Sequence, residues 1–139
     1  MSGAHPRGDA LSDVWAMVTD LVLDEERRRE VVDATGLSFA KSRALRRLVE
    51  DPLSMGELAA RLGMDPPNVT AVVDDLESAG LVRRERHPTD RRVTLVATTP
   101  AGRALARRAQ AVLDRPCAKL ARLSTADLRE LRRILSRVQ

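Results

Sequence analysis

The sequence predicts a mostly α-helical fold that carries one small β-hairpin. Three observations lead to this class. Apolar residues recur at intervals of three and four through most of the 139 residues, as they do on the buried faces of helices. Serine, threonine and aspartate, which favour helix starts, stand directly before several of these runs. One segment, residues 81–98, instead has alternating and β-branched residues around a Pro-Thr-Asp turn.

The chain is expected to open with a disordered tail at residues 1–9, which contain glycine and proline. A long first helix follows. Its apolar residues keep helical spacing, and a run of mixed charge then leads to the glycine that ends it, Gly36. The apolar positions are Leu11, Val14, Trp15, Val18, Leu21 and Val22.

A second helix is predicted from Ser38 to the Asp-Pro pair at residues 51–52. Serine caps helix starts, and a proline disfavours helical backbone in the residue before it. The residues expected to face inward are Ala44, Leu45, Leu48 and Val49.

A helix-turn-helix is predicted over residues 54–80. Ser54 caps its first helix, and Glu57 completes a capping box three residues later. Gly63 tolerates the positive φ that the turn requires. The Asp-Pro pair at residues 65–66 suits the start of the second helix. Its inward stripe is Val69, Val72, Val73 and Leu76, and its outer face is Pro67, Asn68, Thr70, Ala71, Asp74 and Ser78.

Residues 81–87 and 92–98 are expected to form a two-stranded ribbon directly after this unit. A helix-turn-helix followed by a hairpin is a winged helix, whose helix enters the major groove while the hairpin tip reaches the minor groove. We expect Asp90 to hold an arginine of the tip, Arg92, through a charge-assisted hydrogen bond.

Two more helices complete the predicted fold. Thr99 caps the fifth, whose apolar face is Ala104, Leu105, Ala109, Val112 and Leu113, and Pro116 must kink or restart it. Ser124 opens the last, with Leu128, Leu131, Ile134, Leu135 and Val138 inward. The expected organisation is a winged helix-turn-helix at residues 37–99 and a helical dimerisation region from both chain ends, residues 10–36 and 100–139.

Positive charge is concentrated in a short segment from Arg83 to Arg108, which comprises the ribbon and the start of the helix after it. Residues 65–80 hold four acidic and no basic side chains, whereas residues 81–108 hold eight arginines and two acids. A basic segment of this kind attracts nucleic-acid phosphates. With only 1% aromatic residues, the chain lacks the stacking platforms of single-strand binders. Double-stranded DNA is the expected partner.

Other chemistries lack the residues that they need. His5, His87 and the single cysteine, Cys117, make no convincing metal site, and Cys117 is expected to be a buried, inert thiol in a helix. Neither a Gly-x-Ser-x-Gly element nor a glycine-rich phosphate loop is present. We expect no enzyme, cofactor or membrane association, and a cytoplasmic location, on the nucleoid when DNA is bound.

In this combination the chain resembles the MarR family of bacterial transcriptional regulators. The resemblance rests on the segments SMGELAARLG at 54–63, NVTAVVDDLESAGLV at 68–82, and DRR at 90–92 followed by TPAG at 99–102. It implies a homodimer with interlocked terminal helices that binds a palindromic operator, usually as a repressor. It also implies release of DNA by a small phenolic or anionic effector in many members.

Carried over residue by residue, the resemblance places Asn68, Thr70 and Ala71 at bases, Arg92 in the minor groove and Ser54 at a phosphate. With the outer face and the basic ribbon, the expected DNA-binding residues are Ser54, Pro67, Asn68, Thr70, Ala71, Arg84, Arg86, Asp90, Arg91 and Arg92. The candidate effector-binding residues are Trp15, Arg43 and Arg47. Trp15 also suits a dimer core, and the two arginines a solvated face or a backbone phosphate.

The second helix of the predicted helix-turn-helix, which is the recognition helix in this family, departs from the family pattern. Family members often have basic residues at the positions of Ala71 and Asp75, whereas this helix has three acids and no cation. Phosphate neutralisation must therefore come from the wing and flanking helices. An alternative function is a winged-helix protein-interaction module that has lost operator binding. A small-molecule hydrolase or transferase is a second alternative, against which the missing catalytic constellation argues.

Overall fold

The computed structural model describes residues 6–22 and 24–139. Within these ranges it contains seven α-helices, one short 3-10 helix and one antiparallel sheet of three strands. The helices are α1 (Pro6–Val22), α2 (Glu25–Thr35), α3 (Phe39–Glu50), α4 (Met55–Leu62), α5 (Pro66–Ser78), α6 (Pro100–Asp114) and α7 (Thr125–Leu135). The strands are β1 (Leu53–Ser54), β2 (Val82–Arg86) and β3 (Thr94–Thr98). The predicted class, mostly helical with a small β element, is confirmed.

The chain divides into two compact units. One unit comprises the described residues up to Glu25 together with Arg115–Gln139, and it contains α1 and α7. The other unit is Glu26–Asp114, which contains the helix-turn-helix, the sheet and α6.

The predicted long first helix is in fact two helices. α1 ends at Val22 and α2 begins at Glu25. An aspartate, Asp24, stands immediately before α2, and this residue type favours helix starts because its side chain accepts bonds from free backbone N–H groups. Leu23 lies outside the described residues, as do residues 1–5 of the predicted tail.

The rest of the predicted tail, residues 6–9, is helical, so the prediction of disorder was wrong for these residues. Proline is tolerated in the first turn of a helix because the N–H that it lacks has no intrahelical partner there. The acidic Asp9 also lies in this first turn, where a negative charge interacts favourably with the helix dipole.

The predicted helix starts are confirmed at three caps. The Ser38 hydroxyl accepts a hydrogen bond from the backbone N–H of Lys41 at 3.3 Å and begins α3. The Ser124 hydroxyl accepts from the N–H of Asp127 at 3.1 Å and begins α7. At the start of α6, the Thr99 hydroxyl accepts from the N–H of Gly102 at 3.1 Å.

The sheet has the order β1-β3-β2, with both neighbours antiparallel to β3. β2 and β3 are the predicted ribbon, in which Val82 lies opposite Thr98 and Arg86 opposite Thr94. β1, which pairs with the other edge of β3, was not predicted from the sequence. A strand of two residues has no periodicity to detect, because it is defined by its distant partner rather than by its own pattern.

The core of the second unit is built from leucine, valine and alanine. The inward stripe predicted for α5 is buried as expected. Two other predictions were wrong: Val49 is 40% exposed, and Ala104 is exposed while Ala106 faces the core. The buried Gly102 sets the rotation of α6 and brings the residue four positions later, Ala106, to the same face.

Pro116 lies just beyond the end of α6 at Asp114, so it neither kinks nor restarts that helix directly. A proline removes a helical hydrogen bond and clashes with the preceding turn. Cys117, the next residue, lies in a loop and is half-buried, so the prediction of a buried thiol in a helix was wrong. A short 3-10 helix, Leu120–Arg122, precedes α7.

α1 and α7 leave large apolar side chains exposed. α7, every residue of which the structure describes, buries none of them. Trp15 on α1 is 65% exposed and Leu128 on α7 is 41% exposed. The inward face predicted for the last helix is thus largely solvent-accessible in the single chain. None of the helices in the described ranges is both long and apolar enough to cross a membrane.

Candidate nucleic-acid interface

The helix-turn-helix consists of α4, the turn at Gly63 and α5. The Ser54 hydroxyl accepts from the N–H of Glu57 at 3.2 Å, and the Glu57 carboxylate accepts from the N–H of Ser54 at 3.3 Å. Gly63 has a φ of 62°, and the N–H of Met64 donates to the carbonyl of Ala59 at 3.1 Å. The predicted capping box and the left-handed turn residue are confirmed.

The first half of α5 presents small, uncharged side chains to solvent. Pro67, Asn68, Thr70 and Ala71 are all exposed, as predicted. The Thr70 hydroxyl donates to the carbonyl of Pro66 at 3.0 Å, which leaves its methyl group and acceptor lone pairs available. The amide of Asn68 and the methyl of Ala71 are likewise suited to contacts with base edges in a major groove.

The three acids in the second half of α5 are paired with cations of the same unit. Arg84 on β2 donates to Asp74 and to Glu77, each at 2.6 Å. The Lys41 ammonium lies 3.1 Å from the Asp75 carboxylate. The hydrogen bond that Arg84 donates to Asp74, together with the negative charge of Glu77, outweighs partial burial and raises the pKa of Arg84. Each acid of α5 therefore has a cationic partner, although Asp74 and Glu77 share one, and the group keeps a net charge of −1.

These pairs change the interpretation of Arg84, which was predicted from the sequence to be one of the DNA-contacting residues. Its guanidinium is directed at the recognition helix, where two carboxylates occupy its donors. The sequence contains a signal for this pairing, because Arg84 follows the acids of α5 after one short turn. Lys41 had no such signal, since it precedes Asp75 by an entire helix-turn-helix.

The wing is the hairpin formed by β2, β3 and the turn between them. One carboxylate oxygen of Asp90 accepts from the backbone N–H of Arg92 at 3.1 Å and from its Nε at 3.3 Å. The predicted Asp90–Arg92 interaction is confirmed. The Arg92 side chain is 91% exposed, so it is held at its base and open at its tip. Arg86 and Arg91 are exposed in the same hairpin.

The candidate effector-binding residues belong to both units. Trp15 lies in the first unit, whereas Arg43 and Arg47 lie on α3 in the second. Arg43 donates to the carbonyl of Leu62 at the end of α4 at 3.0 Å, and Arg47 is exposed. Arg46, which lies between these two residues in the sequence, is half-buried. Its pKa is lowered mainly by burial and, to a lesser extent, by the positive charges of Arg47 and Arg43.

A family model described as the MarR family matches residues 35–93. This segment contains α3, the complete helix-turn-helix and the wing up to the residue before β3. The chain is 37% identical over 105 residues to the HTH-type transcriptional repressor Rv2887 of Mycobacterium tuberculosis. That alignment covers 74% of this chain and 76% of the relative.

Solved structures resemble this chain over nearly its full length. The crystal structure of the Mycobacterium tuberculosis MarR family protein Rv2887 in complex with salicylic acid matches with a TM-score of 0.67 and 33% identity. The match covers 100% of both chains. The structure of Rv1404 from the same organism matches with a TM-score of 0.80 and 26% identity, over 97% of this chain and 93% of that chain.

Proposed function

The chain belongs to the MarR family of transcriptional regulators, and from this premise we propose that it is a repressor that binds a palindromic operator in duplex DNA as a homodimer. The two recognition helices would enter major grooves about one helical turn apart. The wings would reach the flanking minor grooves. In a bacterial cell such a protein works in the cytoplasm, on the nucleoid while it is bound.

The observation that carries this proposal is the held arginine of the wing. Arg92 combines an exposed guanidinium with a backbone and Nε that Asp90 fixes. A narrow minor groove has an enhanced negative potential that favours an inserted arginine. Because Asp90 already orders the base of this side chain, less conformational entropy is lost when it binds.

We propose direct base contacts from the first half of α5 and backbone contacts from its surroundings. The proposed base contacts are Pro67, Asn68, Thr70 and Ala71, and the proposed backbone and minor-groove contacts are Ser54, Arg86, Arg91 and Arg92. Arg84 is assigned a positioning role, because its two hydrogen bonds join β2 to α5. The hydroxyl and the N–H of Ser54 are both used in the capping box, so a phosphate at this helix start would be contacted by the backbone N–H groups that follow Ser54 in the first turn of α4.

The competing function, a protein-interaction module, was suggested by the acidic recognition helix. The pairs of Asp74, Asp75 and Glu77 with Arg84 and Lys41 remove most of that support. Selection of random duplexes by the purified protein distinguishes the two functions. An enriched palindrome is the result expected here, and recovery of unenriched sequence at low ionic strength would favour the interaction module.

Substitution of alanine for Arg92 is expected to weaken operator binding about tenfold or more, because it removes a minor-groove contact. The slope of log affinity against log salt concentration should also fall by about one unit, since fewer counterions are released. Fluorescence anisotropy with a labelled operator at several salt concentrations measures both. Arg129→Ala on α7 makes the same change in net charge and serves as the control. Unchanged affinity and slope in Arg92→Ala would remove the wing from the mechanism.

Substitution of alanine for Arg84 is expected to lower operator affinity at least about fivefold, because two carboxylates of α5 then lie uncompensated beside phosphates. The same substitution in an Asp74→Asn, Glu77→Gln background should cost less than about twofold, since no charge is released there. A cost that persists in that background would show that Arg84 contacts DNA directly. Circular dichroism of each variant checks that the fold is retained.

We further propose that a small anionic or phenolic molecule releases the operator. Rv2887, whose structure matches this chain over the full length of both proteins, has been crystallised with salicylic acid. Arg43 and Arg47, which lie on α3 within one unit, remain the proposed contacts, because guanidinium groups suit a carboxylate. Titration of the protein–operator complex with salicylate tests this proposal, and a complex that is insensitive to millimolar salicylate would contradict it for this ligand.

A further inference from the structure

The turn of the wing is built around the imidazole ring of His87. The Nδ1 atom of this ring accepts hydrogen bonds from the backbone N–H groups of Thr89, at 3.2 Å, and of Asp90, at 3.1 Å. The Thr89 hydroxyl lies 3.2 Å from the same nitrogen. At the base of the turn, the N–H of His87 donates to the carbonyl of Val93 at 3.0 Å. A single ring nitrogen thus organises the two residues at the apex of the hairpin.

This geometry determines the state of the ring. Backbone N–H groups are donors only, so Nδ1 must present a lone pair to them. Acceptance of both bonds therefore requires a neutral ring with its proton on Nε2. An imidazolium carries a proton on both nitrogens and accepts from neither donor. Protonation of His87 would leave the amides of Thr89 and Asp90 without this acceptor.

The turn leads directly to the arginine proposed for the minor groove. His87 accepts from the N–H of Asp90, and the carboxylate of Asp90 accepts from the N–H and Nε of Arg92. The orientation of the Asp90 backbone consequently determines where its carboxylate lies and where Arg92 begins. A change at His87 is transmitted through two residues that are already in hydrogen-bond contact.

We propose that His87 is a positioning residue of the wing, and that its neutral ring shapes the turn that presents Arg92, so that protonation of His87 lowers operator specificity. This inference rests on the proposed function, because it assigns the wing to DNA recognition.

The surrounding charges make specificity, rather than affinity, the informative quantity. The hairpin contains Arg86, Arg91 and Arg92 together with one carboxylate at the tip, Asp90, while Glu85 lies 3.3 Å from the Nε of Arg83. A proton on His87 adds positive charge to this hairpin, which strengthens attraction to any duplex. Disruption of the turn, in contrast, weakens only those contacts that require Arg92 to be held in one position. The ratio of operator affinity to unrelated-duplex affinity separates the two effects.

The first test needs no DNA. The chain has only two histidines, His5 and His87, so His5→Ala leaves a single imidazole for nitrogen NMR of the full-length protein. At pH 8 we expect the Nε2–H tautomer, and we expect the amide resonances of Thr89 and Asp90 to shift together with ring protonation. An Nδ1–H tautomer would overturn the proposal whether or not the protein binds DNA. Amide resonances of Thr89 and Asp90 that do not shift when the ring is protonated would do the same.

The second test compares four proteins: wild type, His5→Ala, His87→Asn and His87→Ala. Asparagine also places a side-chain acceptor near the amides two residues later, so His87→Asn should stay within about twofold of wild-type specificity at pH 8. His87→Ala should lose about fivefold, the effect of one net hydrogen bond. Wild type and His5→Ala should lose a similar factor between pH 8 and pH 5.5, and His87→Asn should not.

Equal losses in His87→Asn and wild type on acidification would show that the pH effect does not pass through His87, and the proposal would be wrong. Unchanged specificity in His87→Ala would be equally contrary to it. If wild type at pH 8 shows no salt-sensitive duplex binding, the proposed function fails, whereas the NMR measurement still decides how the turn is built.

Discussion

Glutamate at both Leu128 and Leu135 is expected to convert the protein to a monomer and to reduce operator affinity at least about a hundredfold. The side chains of Leu128 and Leu135 are 41% and 46% exposed and lie on the same face of α7. α1 adds Leu11, Val14, Trp15 and Met17, each more than half exposed. Exposed apolar side chains on this scale mark a protein interface.

The expected size of the effect follows from the geometry of two half-sites. A dimer binds its second half-site as an intramolecular event at a high effective concentration, which a monomer cannot do. A charge buried in the proposed interface would have no partner and would oppose association strongly. Light scattering after size exclusion should then give the monomer mass of 15.3 kDa instead of twice that value.

A control for added charge is available on the same helix. Ala126 is exposed on a different side of α7 from Leu128 and Leu135, and Ala126→Glu should leave the dimer and its operator affinity within about twofold. A dimer that survives the double leucine substitution would show that α7 lies outside the interface. A wild-type protein that is monomeric at micromolar concentration would contradict the proposed homodimer itself.

The second large effect is expected from a single methyl group at Gly102. This residue is buried in α6, and a Cβ built there would lie 1.9 Å from the carbonyl oxygen of Leu81. That oxygen also accepts the N–H of Thr99 at 3.0 Å, so it is fixed by a hydrogen bond. Because both groups in the clash are backbone, neither can rotate away. Gly102→Ala should lower the free energy of unfolding by about 3 kcal/mol, as overpacking of a core does.

Gly56 provides the matched control for Gly102. It also lies in a helix, α4, but a Cβ there would meet nothing within 4 Å. Gly56→Ala should raise the free energy of unfolding by about 0.5–1 kcal/mol through the lower entropy of the unfolded chain. Urea denaturation at one fixed protein concentration measures both variants, because the stability of a dimer depends on concentration. A Gly102→Ala protein as stable as wild type would show that α6 moves freely against Leu81.

Local signals in the sequence predicted most of the DNA-binding unit. The capping box of Ser54 and Glu57, the left-handed Gly63 and the stripe on α5 each depend on residues within a few positions of one another. The Asp90–Arg92 interaction is equally local. Such features need no knowledge of the tertiary fold, because helix capping and turn chemistry act over one or two turns.

The features that escaped prediction depend on distant partners. β1 exists because Leu53 and Ser54 pair with β3, and the phase of α6 depends on the approach of Gly102 to Leu81. The neutralisation of Asp75 by Lys41 joins two helices that are adjacent only in the folded chain. The acceptor role of His87 was missed for another reason: a histidine at a hairpin tip gives no indication of which nitrogen accepts.

The internal pairing of the recognition helix has a kinetic consequence. Because Arg84 and Lys41 are engaged with the acids of α5, the exposed cations that the wing offers to a polyanion are Arg86, Arg91 and Arg92. Diffusional encounter would therefore begin at the hairpin and not at the reading surface. While the protein slides along DNA, its wing arginines would stay in contact with the duplex backbone. The uncharged first half of α5 would form base contacts only where the base edges are complementary to it.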